Sequence, residues 1–305
     1  MQHLSWYENP NPIDYDTNEE LEELAESFSL PHHVFLIAKS NGETVGCITF
    51  EIREKSARLG VTMPGVPPNE NAFMIGNRLL KESISILKSK SIPVLHCTFK
   101  YRTKEEIQWH LDLVKSLGFV PQPEGTQLIR PIDESTTITN DSIAQFEILH
   151  REDVSPQSLA ELTYHSFLGT PEDRSIHKDT VPMTLDGTLE LHKRIASNSM
   201  FFSPANYWYI AKIGDELVGV LIGGDLGKRN GYRIGIIGEL CVSPSFRRCG
   251  IASKLISKFI LDLKKANFDF IFVGTPSRNI HALRLYEKHG FTPTNYVTHF
   301  SLSLE

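Results

Sequence analysis

Gly238 to Ser253 reads GELCVSPSFRRCGIAS, and the rest of the chain is laid out around it. The apolar run that enters it, IGIIGELCV from Ile234, predicts a strand; Ser243-Pro244 breaks the strand, and Arg247-Arg248-Cys249-Gly250 leads into a helix from Ile251. A strand, a short basic glycine turn and a helix together make a place for phosphate. The first N–H groups of a helix have no internal partners, and the positive end of the helix dipole lies behind them. Gly250 lets backbone approach a ligand closely, Ala252 keeps the first turn free of bulk, and Arg247 and Arg248 add charge-assisted donors. Taken alone, the same positions also describe an ordinary strand-to-helix connection with two solvated arginines.

A second stretch separates the two possibilities. Asn279 to Phe291 reads NIHALRLYEKHGF. The spacing Arg247-x-x-Gly250-x-Ala252 resembles motif A of the GNAT N-acetyltransferases, and Asn279 to Phe291 resembles that family's other hallmark, N-x-x-A-x-x-L-Y-E-K-x-G-F, with every fixed position filled. The resemblance covers the C-terminal half. It implies an α/β (α+β, GNAT-like) fold, a mixed and mostly antiparallel central sheet flanked by helices, with acetyl-CoA as cosubstrate and no metal. It further implies that the edge of Leu240-Cys241-Val242 holds the pantetheine arm, and that Arg247, Arg248, Cys249, Gly250, Ile251, Ala252 and Ser253 cradle the pyrophosphate. Tyr286 becomes the candidate general acid, since a phenol can protonate a departing thiolate. Its alternative is a core tyrosine, because Ala282, Leu285 and Tyr286 share a helical face. Asn279 is an evident N-cap, and the family places this residue close to the cofactor as well.

Composition bounds the other possibilities. With 305 residues the chain is long enough for two domains, and 40% hydrophobic with 22% charged residues is globular. A formal net charge of −6 argues against nucleic acid as a main partner. Cys47, Cys97, Cys241 and Cys249 show neither C-x-x-C pairing nor metal-ligand spacing, which fits reduced thiols in a cytoplasmic protein. No apolar run approaches transmembrane length, and the N-terminus is too polar for a signal peptide, so no membrane partner is expected. No G-K-[ST] follows the glycine turn, which excludes a P-loop nucleotide triphosphatase.

The chain also repeats itself. Ile37-Ala38-Lys39 followed by Val45-Gly46 recurs as Ile210-Ala211-Lys212 followed by Val218-Gly219, and Gly118-Phe119-x-Pro121 answers Gly290-Phe291-x-Pro293. The pattern predicts two tandem acyl-CoA N-acyltransferase-type domains: a first copy at 1–132, a polar linker at 133–144, and a second copy at 145–305. The first copy is expected to have a strand near His3–Trp6, a helix from Thr17, a hairpin turning at Asn41-Gly42, a long helix near Ala72–Ser89 and a closing strand at Thr126–Pro131. The second is expected to close with Val297–Leu304. Positions matching Asn279, Ala282 and Tyr286 hold Ile107, His110 and Val114 in the first copy. Its counterpart of the phosphate turn, Thr62 to Asn71, has no arginine, two successive prolines without N–H donors, and an acidic residue. The first copy is therefore expected to be degenerate, with acetyl-CoA binding the second alone.

Glu239 is the candidate general base, a carboxylate in an apolar strand where partial burial would raise its pKa; strand alternation sets it on the face opposite Leu240 and Val242. Cys241 and Cys249 are expected to pack rather than carry acyl groups. His165 and His177 fall where the family's acceptor site forms and are candidate substrate-pocket residues. The expected activity is direct acetyl transfer to a primary amine in a ternary complex, the acceptor being a small molecule first, and a protein lysine or N-terminal amine otherwise. A non-catalytic acyl-CoA-binding regulatory module is the reading outside enzymology. Two fused copies imitate a dimer, so a monomer or weak homodimer is expected.

Overall fold

In a computed structural model of the chain the described residues are 32–60, 64–67, 71–133, 146–168, 184–197 and 207–305. They fall into two compact units, one within Met1–Glu124 together with Asn295–Glu305, the other Gly125–Thr294.

The first unit contains β1 (His33–Ser40), β2 (Glu43–Arg53), β3 (Ser56–Leu59), α1 (Ala72–Ser89), β4 (Val94–Tyr101), a 3-10 turn at Lys104–Ile107 that runs into α2 (Gln108–Ser116), and the short β5 (Val120–Pro121). Asn41 and Gly42 turn the β1–β2 hairpin with φ of 51° and 84°, the left-handed pair that a two-residue connection requires. β2 and β3 are antiparallel and β3 and β4 parallel. α1 turns Leu79, Leu80 and Leu87 onto a core with Ile48, Phe50 and Leu95, as its apolar spacing predicts.

The second unit contains β6 (Gly125–Pro131), β7 (Glu147–Leu149), α3 (Pro156–Phe167), α4 (Leu185–Ala196), β8 (Tyr207–Ile213), β9 (Glu216–Arg229), β10 (Tyr232–Val242), α5 (Ile251–Lys265), β11 (Phe270–Pro276) and α6 (Ile280–Lys288). The strands stand in the order β6-β11-β10-β9-β8-β7. β10 and β11 are parallel, and the other pairs are antiparallel. On one face Leu255, Phe259 and Leu263 of α5 pack with Tyr209, Leu221 and Ile237. On the other, Leu159 and Leu162 of α3 and Ile195 of α4 pack with Trp208, Ile222 and Ile236. α5 approaches so closely that a Cβ on Gly223 would lie 2.5 Å from Phe259, and one on Gly235 would overlap Leu263.

Both closing strands form, and each lies in the other unit from the one expected. β6 pairs antiparallel with β11 from Gly125↔Pro276 to Pro131↔Phe270. The last strand, β12 (Thr292–Ser303), pairs antiparallel with β4 from Tyr296↔Tyr101 to Ser303↔Val94. The boundary expected at 132 is therefore drawn after Glu124, and the C-terminal eleven residues, Asn295–Glu305, belong with the first unit. The two strands are equivalent in the repeat, so their alternation suits either sheet. A further hairpin turns β9 into β10 at Asn230-Gly231, with φ of 51° and 82°. The strand near His3–Trp6, the helix from Thr17, the linker beyond Asp133, and half of the Thr62–Asn71 turn lie outside the described residues. Among the described residues no helix is long and apolar enough to cross a membrane.

Candidate functional site

The site begins with a one-residue bulge. On β10, Ile237 faces Gly223 of β9 and Glu239 faces Ile222, so Gly238 is an extra residue. The bulge shifts the alternation by one place. Ile237 lies in the core under α5, and an unbroken strand would put Glu239 on that same side. With the bulge, Glu239 joins Ile236 and Cys241 on the α3–α4 face, while Leu240 and Val242 turn towards α5. Glu239 thus stands opposite Leu240 and Val242 as expected.

Beyond the bulge the sheet opens. β10 pairs with β11 from Ile234↔Phe270 to Ile237↔Val273, although β10 runs on to Val242 and β11 to Pro276. Past that point the strand pairing of Glu239–Val242 among the described residues is with β9.

At the end of β10, Pro244–Phe246 makes a 3-10 turn, Arg248 takes a left-handed φ of 66°, and Gly250 caps α5 with φ of 82°. No side chain caps this terminus, and its first turn carries no acidic residue. The arrangement matches an anion's needs. The two arginines divide. Arg248 is exposed at the turn. The Arg247 guanidinium instead donates to Ser166 O at 2.7 Å and Val242 O at 3.2 Å, tying the end of α3 to the end of β10. Cys249 donates weakly to Arg247 O, and Ile251 is buried. Ser253 spends its hydroxyl on His289 Nε2 at 2.7 Å, a buried link between the first turn of α5 and the end of α6.

Asn279 caps α6, accepting from Ala282 N at 3.2 Å. Tyr286 is 6% exposed and packs edge-to-face on Phe291, and burial pushes its phenol above the ordinary tyrosine range. It approaches from the α5 side of the sheet.

On the opposite face Glu239 has gathered partners. The Thr163 hydroxyl of α3 donates to Oε1 at 2.7 Å, and His192 Nε2 of α4 lies 3.3 Å from each oxygen. The Glu239 side chain is 10% exposed and that of His192 2%. Cys241 sits below Thr163, and burial first, then the charge of Glu239, pushes its thiol up to about 12. Such a thiol is not a nucleophile at neutral pH. His165 is exposed on α3, lining an open groove of about 580 Å³ with Glu161, Asp215 and Glu216, apart from the carboxylate's partners. His177 lies outside the described residues.

Sequence reasoning missed Thr163 and His192. A signal for the second existed: Thr188, His192 and Ile195 form the buried row of α4 at helical spacing, and a histidine in such a row needs a partner.

Residues 174–291 match the Acetyltransferase (GNAT) family. Over 84 residues the chain is 34% identical to N-alpha-acetyltransferase 30 of Homo sapiens, which covers 27% of this chain and 23% of that protein. It is 36% identical over 83 residues to an uncharacterized N-acetyltransferase of Bacillus subtilis, covering 27% of this chain and 51% of that one. The chain thus spans about a quarter of the length of the first of these curated relatives and about half of the second. A GCN5-related N-acetyltransferase from Sphaerobacter thermophilus shares the fold at a TM-score of 0.62 and 16% identity, over 93% of this chain and 85% of that one. A tandem GNAT protein from the clavulanic acid biosynthesis pathway does so at 0.54 and 13%, over 100% and 93%.

Proposed function

We propose that this chain moves the acetyl group of acetyl-CoA to a primary amine by direct attack in a ternary complex, a reading supported by the match of residues 174–291 to the Acetyltransferase (GNAT) family. The observation that carries the proposal is Glu239, brought by the Gly238 bulge to the open end of β10 and held there by Thr163 and His192. Acetyl-CoA supplies an activated thioester. The uncapped N-terminus of α5, with Arg248 beside it, takes the pyrophosphate, and the edge of Leu240–Val242 takes the pantetheine arm. Glu239 accepts the proton of the attacking amine as the C–N bond forms. Tyr286, held protonated by its burial, donates a proton to the sulfur as the C–S bond breaks.

A tenth of the Glu239 side chain is exposed, so an acceptor has to present its nitrogen on a slender end. A small-molecule amine meets this most simply and is the proposed acceptor. The likeness to N-alpha-acetyltransferase 30 favours a second reading, a protein N-terminal amine. Both are tested by coenzyme A release from acetyl-CoA against a panel of small primary amines and of peptides with free N-termini. Turnover with the amines, lost in Glu239→Gln, supports the first; turnover with peptides alone supports the second; turnover with neither overturns the enzyme.

A further inference from the structure

We infer that His192 is a positioning residue for acetyl transfer, orienting the Glu239 carboxylate towards the acceptor amine. The inference rests on Glu239 being the base.

The geometry is specific. His192 is 2% exposed, and its Nε2 lies 3.3 Å from both Oε1 and Oε2. Its other nitrogen, Nδ1, is buried without a hydrogen-bond partner among the described residues. A histidine serving only to fill the core satisfies both ring nitrogens or is replaced by an apolar residue. Among the described residues one nitrogen is left bare, and the other is aimed at the Glu239 carboxylate. A buried N–H without an acceptor costs about 1–3 kcal/mol, so the bare Nδ1 is the nitrogen without the proton. Nε2 then carries the hydrogen and donates it to Glu239. The Trp208 ring packs against the imidazole at 77°, with centroids 6.1 Å apart.

Thr163 and His192 come from different helices and reach the carboxylate together. Thr163 donates to Oε1 at 2.7 Å, and His192 bridges both oxygens from the α4 side. The carboxylate can no longer rotate freely about its last torsion. An ionised carboxylate has about four lone-pair sites, so it can be held by these donors and still accept the proton of an amine. Fixing a base in this way acts on the rate of the chemical step, since misplacing a reacting group by about 1 Å costs about 100-fold. It leaves acetyl-CoA binding alone, because the phosphate turn lies at the other end of Leu240–Val242.

The test compares His192→Phe with His192→Gln in the full chain, using acetyl-CoA and the panel amine that wild type turns over fastest. Phenylalanine keeps the ring and removes the donor, whereas a glutamine amide reaches about where Nε2 sits. The expected result is a kcat lowered about 10- to 100-fold in His192→Phe, with amine KM and calorimetric acetyl-CoA affinity within about twofold of wild type, and most of kcat recovered in His192→Gln. Wild-type kcat in His192→Phe, or equal losses in both variants, overturns the inference. The nitrogen-15 spectrum of the imidazoles gives a readout that needs no acceptor. His192 should appear as the Nε2–H tautomer, and Glu239→Gln should shift its resonances. The opposite tautomer, or resonances indifferent to Glu239→Gln, also overturns it. Absence of turnover with every amine and peptide would sink the proposed function and leave this spectrum to decide the pairing.

Discussion

The Thr163 hydroxyl donates to Glu239 Oε1 at 2.7 Å across 76 residues of sequence, and the bond exists because Gly238 is an extra residue on β10. Thr163→Val removes the donor while keeping the shape, leaving a charged acceptor short of one partner. The expected cost is about 1–3 kcal/mol of stability, with kcat down about tenfold and acetyl-CoA affinity unchanged. Thr163→Ser should restore both. Urea unfolding together with steady-state kinetics checks it, and a Thr163→Ser variant as impaired as Thr163→Val would show that the methyl group matters rather than the hydroxyl.

Tyr286 is open to two separable tests. Tyr286→Phe should lower kcat about 100-fold or more with acetyl-CoA affinity unchanged. For stability, burial raises the folded pKa of Tyr286 above the unfolded value of about 10. The stabilisation from keeping the phenol neutral is therefore fully present below about pH 10 and is lost as pH rises beyond it. Above that pH the wild-type unfolding free energy should fall more steeply than that of Tyr286→Phe, by about 1 kcal/mol per pH unit. Parallel slopes from about pH 8 to 11 would deny the shift.

Direct transfer needs no acyl-cysteine. The Cys241 thiol is buried and pushed up to about 12, so at about pH 8 iodoacetamide should label the half-buried Cys249 and spare Cys241 until the protein is unfolded. Cys241→Ala should keep kcat within about threefold, at a packing cost of about 1–2 kcal/mol. A trapped acetyl group on Cys241, found by mass spectrometry of quenched reactions, would replace the direct route.

What was legible in the sequence was local. The basic glycine turn before α5 shows in consecutive residues, Asn279 announces its helix by capping chemistry, and the Asn41-Gly42 hairpin by its φ requirements. The closing strands were found, while their assignment was not: β6 and β12 answer each other in the repeat, so nothing local tells which sheet either completes. The bulge could not be located in advance, because Gly238 in an apolar run reads as one more strand residue, although it decides which face Glu239 takes. The burial of His192 could be read from helical spacing, but not that it and Thr163 meet at Glu239 through the packing of α3 and α4 on one face. His165, two residues from Thr163 and named because the family's acceptor site forms in that region, lies on the exposed side of the same helix.

Close packing under the site is testable without any ligand. Gly223 and Gly235 let α5 lie against the sheet, and a methyl group on either would meet Phe259 or Leu263. Gly235→Ala should cost about 1–3 kcal/mol and, because α5 carries the phosphate turn at its first residue, weaken acetyl-CoA binding as well. Gly214→Ala is the contrast. No atom lies within 4 Å of where its methyl group would stand, and its φ of 57° should make its cost one of backbone strain, about 1 kcal/mol, with acetyl-CoA affinity intact. Equal affinity in all three proteins would detach the helix's seating from ligand binding.

Each chain should hold a single acetyl-CoA. In the second unit the turn before α5 offers an uncapped helix terminus and the exposed Arg248. In the first, Gly65 of the corresponding stretch already gives its N–H to Cys47 O at 2.8 Å and takes the Cys47 N–H at 2.9 Å, so its backbone is spent on the sheet instead of turned to an anion. The two prolines of that stretch, Pro67 and Pro68, have no N–H to offer. Calorimetric titration should therefore give one site per chain. Arg248→Glu should weaken it about tenfold, the loss shrinking as salt rises, because an exposed charge at a helix terminus is worth about 1 kcal/mol and is screened. Arg247→Glu should weaken it too, and should also lower the melting temperature, since its guanidinium joins Ser166 O to Val242 O. Two sites per chain would mean that the first copy binds as well, through residues other than Gly65.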